Sequence, residues 1–171
     1  LNHNSFIENN SDGLIGFHFQ NYDQGALGQE ESHLVHTRTS SFALFVLESF
    51  NFDLFDLDVG GRLESVNLKN TSMEKGFFPG AFSSTIKREI FTNNTAFAGF
   101  DFTERAPNAV ELFANGPHHA LEQFEVGDSN MNVETSYNFS LGYSYNNGLD
   151  NLKIETYYNY IDDFIAADRD G

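Results

Sequence analysis

Bulky and small residues alternate with a period of two near the end of the chain. The bulky positions are β-branched, aliphatic or aromatic: Thr135, Tyr137, Phe139, Leu141, Tyr143 and Tyr145. The positions between them hold only serine, asparagine and glycine. This alternation predicts a strand with one apolar face and one wet face. Residues 146–151 predict a tight turn because they are rich in Asn and Gly. The alternation resumes from Leu152 to Tyr160, so the pattern predicts a β-hairpin.

The same pattern predicts an earlier hairpin whose polar face carries charges. One strand runs from Thr39 to Phe50, a turn follows at Asn51, and residues 55–63 form the second strand. Residues 42–47 are apolar on both faces, so we expect part of the inner face to be covered there. Charges on one face of an otherwise apolar strand suit a water-filled lumen. The candidate lumen-lining or plug-facing residues are Asp56, Asp58, Arg62, Glu64 and Glu155.

Short turns and long irregular segments alternate along the chain. Weaker alternation predicts further strands at about 14–21, 81–90 and 94–103. The long irregular segments are 24–37, 67–80 and 104–132. Short turns at one end and long loops at the other are the layout of an outer-membrane β-barrel. No repeat, low-complexity tract or linker interrupts the chain, so we expect one all-β, antiparallel domain over residues 1–171.

The composition agrees with apolar residues spread over many strands. The chain contains 19 Phe and 7 Tyr but no Trp, and its mean hydropathy is −0.40. No segment approaches the roughly 20 apolar residues of a membrane helix. The absence of cysteine excludes thiolate metal sites and disulfides. A formal charge of −16 argues against nucleic-acid binding and favours cationic ligands.

A soluble antiparallel sandwich or barrel is the alternative architecture, because its strands alternate as well. The predicted strands of about ten residues exceed the usual five or six. Their second faces are also too polar to pack against another layer. The pattern therefore favours a membrane barrel.

The segment 102–113 resembles a known family. It contains Arg-Ala-Pro followed by Glu-Leu-Phe, which looks like the signature of TonB-dependent receptors where a strand leaves the barrel for an extracellular loop. Its continuation to residue 128 resembles the zinc-uptake receptors of the ZnuD type, although Leu121 stands where a small hydroxyl residue is expected. The motif residues are Arg105, Pro107, Glu111, Gly116 and Glu125.

The resemblance implies a 22-stranded transmembrane barrel around a plug. This chain would be the C-terminal part of that barrel, without the plug. The implied function is uptake of a metal ion, zinc above all, across the bacterial outer membrane. The implied partners are the TonB–ExbB–ExbD complex, acting through the plug, and outer-membrane lipid and lipopolysaccharide. Zinc would be the transported ligand, and no catalytic cofactor is expected.

Two adjacent histidines head the candidate metal cluster. If Pro117 starts a helical turn, His118 and His119 lie four and three residues from Glu122, on one face. Imidazole and carboxylate together suit zinc, which needs three or four such ligands. The resemblance implies that His118 is the zinc ligand and that His119 occupies a variable place. The alternative is a pair of solvated loop histidines.

A second cluster lies in the segment 24–37. It consists of Glu30, Glu31, His33 and His36. If this loop faces the first cluster across the barrel mouth, the two complete one site. The alternative is a charged, solvated loop, and the same two interpretations apply to Glu125 and Asp128.

The barrel signature leaves the ligand open, because related receptors carry ferric siderophores, haem or other metal chelates. Acidic loops with histidines favour a bare cation over an anionic chelate. A more distant alternative is a β domain with a hydrolase or carbohydrate-binding role. The chain contains no Gly-x-Ser-x-Gly elbow, phosphate loop or His-Glu-x-x-His helix, so we expect no enzyme.

Overall fold

The structure is a computed structural model that describes residues 2–4, 11–25, 34–118 and 123–167. Strands dominate it, and the predicted all-β, antiparallel fold class is confirmed. The elements are β1 (Asn2–Asn4), β2 (Ser11–Gln24), β3 (Thr37–Asn51), β4 (Asp56–Lys69), β5 (Glu74–Phe77), β6 (Gly80–Phe91), β7 (Asn94–Arg105), α1 (Ala109–Phe113), β8 (Asn115–His118), β9 (Gln123–Val126), β10 (Glu134–Asn146) and β11 (Asn151–Asp162). Among the described residues, no helix is long and apolar enough to cross a membrane.

One nine-stranded sheet contains most of these strands, in the order β1-β2-β3-β4-β6-β7-β10-β11, with β5 also paired to β4. Each neighbouring pair is antiparallel. Strands β8 and β9 form a separate two-stranded sheet. The large sheet therefore follows the chain from neighbour to neighbour, as a meander of hairpins does.

Segment 67–80 differs from the long loop that its sequence predicts. Strands β4 and β5 pair through Lys69 and Glu74, so only a tight turn separates them. The side-chain oxygen of Asn70 accepts hydrogen bonds from the backbone N–H groups of Ser72 and Met73, both at 2.8 Å, and closes that turn. The prediction of a long loop is wrong here because residues 74–77 form a strand that is too short to give a periodic signal, and Asn70 closes the turn before it.

The short turns lie at one end of the sheet, as the sequence predicts. They connect β3 to β4, β6 to β7, and β10 to β11. Asn93 and Gly148 adopt positive φ angles of 65° and 90° in two of these turns, a conformation that Asn and Gly tolerate best. Tyr145 lies opposite Leu152 across the last turn, so the predicted hairpin is confirmed. The described ends of the connections 25–36 and 106–133 lie at the opposite end, together with the turn between β4 and β5.

One face of the sheet is apolar and exposed. Residues directly opposite each other on neighbouring strands share a face, so the register extends this face across the sheet. Many of its side chains are at least half exposed, among them Phe17, Phe19, Leu44, Leu63, Leu141, Ile154 and Tyr158. Aromatic rings meet along it, for example Phe102 with Tyr137 at 5.4 Å between centroids. Exposed apolar surface of this extent indicates that the face lies against a nonpolar environment.

The other face carries small and polar side chains and is partly covered. Ala43 is fully buried, and the ring of Phe45 lies over Gly16, where an added Cβ would come within 2.3 Å of it. The cover predicted for residues 42–47 is therefore found at Ala43 and Phe45. It does not extend to Leu47, which is 48% exposed.

Candidate functional site

Arg105, the last residue of β7, joins the two ends of the connection 106–133. Its Nη1 donates to both carboxylate oxygens of Glu111, at 3.1 and 3.0 Å, and its Nε donates to Glu134 at 3.2 Å. Glu134 also accepts the backbone N–H of Ile165 at 2.9 Å. The Arg105 guanidinium, and after it the Ile165 amide, hold the pKa of Glu134 below its usual value. Arg105 therefore fixes the base of the long connection.

A capping box builds the short helix α1. The Asn108 side-chain oxygen accepts the backbone N–H groups of Val110 and Glu111, at 2.9 and 3.0 Å. In return, Glu111 accepts the Asn108 N–H at 2.7 Å. This reciprocal pattern satisfies the helix's first free donors. Glu111 thus belongs both to the helix cap and to the Arg105 cluster, while Pro107 is fully buried beside them.

A small hydrophobic core holds α1 against the polar face of the sheet. Its buried members are Leu34, Leu68, Ala109, Leu112 and Phe113. An isolated β-bridge pairs Leu34 with Ala114, and so connects the segment before β3 to the end of α1. The backbone N–H of Gly127 donates to the backbone carbonyl of Ala114 at 2.7 Å, and the backbone N–H of Asp128 donates to the backbone carbonyl of Glu111 at 2.9 Å. Both connections at this end are therefore anchored to one core.

The β8–β9 hairpin begins at Asn115, directly after the core residues of α1. Its register pairs Pro117 with Phe124 and His118 with Gln123. The helical turn predicted at Pro117 is wrong, because residues 115–118 are extended and pair with β9. A two-stranded ribbon tolerates proline where the missing N–H has no ladder partner. The four-residue spacing to Glu122 therefore does not place His118 on a helix face.

His118 and Glu125 meet across this hairpin. His118 Nδ1 lies 2.9 Å from Glu125 Oε1, and the two side chains are only 29% and 27% exposed. His118 lies opposite Gln123, and Glu125 follows Gln123 by two residues, so all three side chains lie on one face of the hairpin. Phe124 and Val126 occupy the other face and are 66% and 73% exposed. When Nδ1 carries the proton and donates a hydrogen bond to Glu125, the lone pair is on Nε2, which is the form of imidazole that can bind a metal ion.

The whole chain, residues 1–171, matches the sequence model of a family described as TonB dependent receptor-like, beta-barrel. This chain belongs to the TonB-dependent receptor family. TonB-dependent receptors lie in the bacterial outer membrane and serve as receptors and transporters. The sheet is a part of the receptor's barrel wall, with its apolar face toward lipid and its polar face toward the lumen. The loop end is the extracellular end.

The five charged residues predicted for the lumen lie on one face of the receptor's wall. Asp56 and Glu155 share this face because a row of directly opposite residues connects them across the strands, namely Lys87, Phe97 and Gly142. Asp58, Arg62 and Glu64 alternate with outward residues on the same strand as Asp56. A contact between these side chains and a plug stays a prediction.

Basic partners accompany most of these lumen acids. Asp58 accepts Lys87 Nζ at 2.6 Å and Ser49 Oγ at 2.7 Å. Glu64 accepts Arg62 at 2.8 Å, and Lys153 lies 2.8 Å from Glu155. The described part of the wall is therefore less negative than its row of carboxylates suggests. Sequence reasoning missed Lys87 because its position opposite Asp56 depends on the strand register.

Four of the six predicted metal ligands lie outside the described residues: His119, Glu122, Glu30 and His33. His36 is described, and its side chain is 70% exposed. Its Nε2 lies 4.0 Å from Asp23, which also accepts Arg38 Nε at 3.1 Å. Within the described ranges, no three His, Asp or Glu side chains group closely enough to hold a metal ion. Among the described candidates, the close pair is therefore His118 with Glu125, at 2.9 Å.

Sequence reasoning missed two residues of the loop base. Glu134 and Asp23 each pair with an arginine of a neighbouring strand, at 3.2 and 3.1 Å. No local motif signals either contact, because each joins residues that are distant along the chain. The Asn108-x-x-Glu111 pattern, by contrast, is a capping-box signal that the sequence contains.

Proposed function

We propose that this receptor takes up a divalent metal ion, zinc above all, in the manner of the zinc-uptake receptors of the ZnuD type. The observation that carries the proposal is the 2.9 Å contact between His118 Nδ1 and Glu125 Oε1. A carboxylate at this distance fixes the tautomer and the orientation of an imidazole, as is usual for zinc-binding histidines. Nε2 of His118 then serves as the first donor to the ion.

The base of the hairpin supports this role. The buried core around Leu112 and the Arg105 cluster hold both ends of the connection 106–133. A metal site binds more tightly when its ligands need little ordering. We propose that His119, Glu122, Glu30, His33 and His36 supply the remaining donors. The Leu34–Ala114 bridge supports this set, since it anchors both connections that carry these residues to the same core.

We propose that energy for uptake comes from the TonB–ExbB–ExbD complex, acting through a plug in the lumen. The formal charge of −16 favours accumulation of cations around the chain. Arg62 and Lys87 on the lumen face, which contact Glu64 and Asp58 at 2.8 and 2.6 Å, would exchange these partners for plug carboxylates. No covalent bond is made or broken in this cycle.

Calorimetric titration of the full-length receptor with zinc chloride tests the proposal. The variants are His118→Ala and Glu125→Gln, and His18→Ala on β2 is the matched histidine control. We expect His118→Ala to weaken zinc binding more than tenfold, and Glu125→Gln to weaken it about tenfold or more, since a lost orienting partner typically lowers metal affinity 10–100-fold. Unchanged affinity in His118→Ala contradicts the site. Failure of the unmodified receptor to bind zinc contradicts the ligand.

A metal chelate such as a ferric siderophore or haem is the second candidate ligand. The observation that favours it is the exposure of Phe124 and Val126 on the outer face of the hairpin, at 66% and 73%. Apolar side chains so exposed at a mouth suit a ligand with an apolar part. The same titration with haem and with a ferric chelate distinguishes the candidates. Three results together favour this second function: the chelate binds, Phe124→Ser weakens that binding, and zinc does not bind.

A further inference from the structure

A buried hydroxyl on the lumen face has no hydrogen-bond partner within the described part of the chain. Thr39 of β3 lies directly opposite Tyr22 on one side and Leu68 on the other. Only 5% of Thr39 is exposed, and its Oγ1 meets no donor or acceptor among the described residues. The hydroxyl of Thr37, two residues earlier on the same face, donates to the Val35 carbonyl at 2.7 Å. Burying a hydroxyl without a partner costs free energy, so this position favours a partner from outside the wall.

The Thr39 hydroxyl lines an open cavity of about 260 Å³ at the loop end of the lumen. Two neighbouring rows of the register form the floor of this cavity, one of Gln20, Ser41 and Val66 and the other of Tyr22, Thr39 and Leu68. The corner 105–108, which leads from β7 into α1, forms another side. The floor therefore combines three hydroxyls and an amide with the carbon surface of Val66 and Leu68.

The charged residues that line the cavity already have partners. Glu64 accepts Arg62 at 2.8 Å, and Glu104 accepts the backbone N–H of Gly80 at 2.7 Å. Arg105 is held by two carboxylates, at 3.0 and 3.2 Å. A charged ligand would have to break one of these contacts, whereas a neutral ligand leaves them intact. The lining therefore favours an uncharged ligand.

We propose that this cavity binds one neutral sugar ring, either as a free sugar or as the end of a glycan chain. Sugar hydroxyls both donate and accept hydrogen bonds, as the hydroxyls and the amide of the floor do. One sugar hydroxyl pairs with Thr39, and C–H groups of the ring lie against Val66 and Leu68.

The size of the cavity argues for a single ring. Its volume of about 260 Å³ lies below the roughly 300–1,000 Å³ of pockets for drug-sized ligands, so it is too small for a siderophore or haem. It also far exceeds the roughly 30 Å³ that one water molecule occupies in the liquid. A six-membered ring that carries several hydroxyls matches both the space and its mixture of polar and apolar lining.

The cavity is distinct from the candidate metal ligands. Among the described residues that line it, none belongs to β8 or β9. Pro107 and Asn108 contribute to its side and also lead into α1, whose cap is Asn108. A ligand that binds only the folded base stabilises it by mass action. A bound sugar should therefore hold the connection 106–133 more firmly, whichever ligand the receptor transports.

Saturation-transfer NMR on the full-length receptor, in a detergent without a sugar head group, tests the inference. The probes are glucose, galactose and mannose, each as the free sugar and as its methyl glycoside, at about 10 mM, above the millimolar dissociation constants of weak ligands. We expect transfer to the ring protons of at least one hexose. Binding of a methyl glycoside supports a glycan end as the source, and binding of the free form alone supports a free sugar. Absence of transfer to all of these probes overturns the inference.

Thr39→Val removes the hydroxyl but keeps nearly the same shape. We expect it to weaken sugar binding about fivefold or more, since one hydrogen bond between neutral groups is lost. Because this hydroxyl has no partner among the described residues, the fold and the zinc affinity of the variant should match those of the unmodified receptor. Thr85→Val is the matched control, since Thr85 lies on the lumen face of β6, opposite Asp58 and away from the cavity. Unchanged sugar binding in Thr39→Val, or an equal loss in Thr85→Val, overturns the site.

Hydrogen exchange of residues 109–113 gives a second readout. The sugar should slow this exchange in the unmodified receptor and in Thr85→Val, and should slow it less in Thr39→Val at the same concentration. Sugar binding that leaves the exchange of these residues unchanged contradicts the contact with the base of the connection.

Discussion

Arg105 Nη1 contacts both carboxylate oxygens of Glu111, at 3.1 and 3.0 Å, while the same guanidinium reaches Glu134 at 3.2 Å. One side chain thereby connects the end of β7, the cap of α1 and the start of β10. Only a planar, forked cation makes all of these contacts at once.

Arg105→Lys should loosen the connection 106–133, although it keeps the charge. Lysine is a point donor and cannot reproduce the forked contacts. Arg105 is 41% exposed, so we expect a loss of about 1 kcal/mol in local opening free energy, at the low end for charge-assisted hydrogen bonds. Hydrogen exchange of residues 109–118 measures it. Lys153→Gln, on a distant strand, should leave that exchange unchanged, and protection equal to wild type in Arg105→Lys would refute the prediction.

The base of the connection should open in acid. The pKa of Glu134 is held below its ordinary value of 4.5, first by Arg105 and then by the Ile165 amide. A lowered folded-state pKa gives stability that is fully present above pH 4.5 and is lost as the pH falls through the lowered value. Hydrogen exchange of the 163–167 segment, followed from pH 6 downward, measures this loss. Glu134→Gln should show faster exchange at pH 6 and a flatter acid dependence, and an unchanged acid response in that variant would contradict the assignment to Glu134.

Gly127→Ala should separate β9 from α1. An added Cβ would lie 2.7 Å from Glu111 O and from Leu112 C, both backbone atoms that cannot rotate away. We expect a destabilisation of about 2 kcal/mol, typical of overpacking, with loss of the Gly127-to-Ala114 hydrogen bond. The matched control is Gly76→Ala, whose Cβ would meet nothing closer than 4.0 Å. Protease sensitivity of the 115–126 hairpin should rise only in the first variant; equal sensitivity in both would argue against the close approach.

Asn108→Ala should shorten or unfold α1. It removes the acceptor for the Val110 and Glu111 N–H groups, at a cost of about 1 kcal/mol. Asn108→Ser keeps a capping oxygen and should behave nearly like the unmodified chain. Exchange rates of the Val110 and Glu111 amides distinguish the two variants. No difference between them would show that the buried core, rather than the cap, holds the helix.

Strand periodicity predicts most of the sheet because each long strand repeats its signal five or six times. The hairpin joining Tyr145 to Leu152 follows from alternation and a turn rich in Asn and Gly. Strands β5, β8 and β9 give no such signal, since four residues contain only two periods. Phe78 and Pro79 also interrupt what would otherwise read as one strand opposite β4.

The contacts of the candidate site were also not predictable from local sequence patterns. A spacing of four residues predicts that His118 shares a helix face with Glu122, whereas the hairpin places His118 against Glu125. The two alternatives differ only in backbone conformation, which a segment beginning Asn-Gly-Pro does not specify. The pairing of Arg105 with Glu134 joins residues 29 positions apart. Only the register of β7 with β10 brings them together.

The tight turn at Asn70 keeps the connection between β4 and β5 short at the extracellular end of the receptor. The connections before and after it, 25–36 and 106–133, are far longer than this turn. Residues 71–74 at this turn are exposed, so an antibody can reach them from outside the cell. A short epitope inserted between Thr71 and Ser72 should therefore be accessible, whereas an insertion next to Leu68 or Phe77 should disturb the α1 core, which both residues contact.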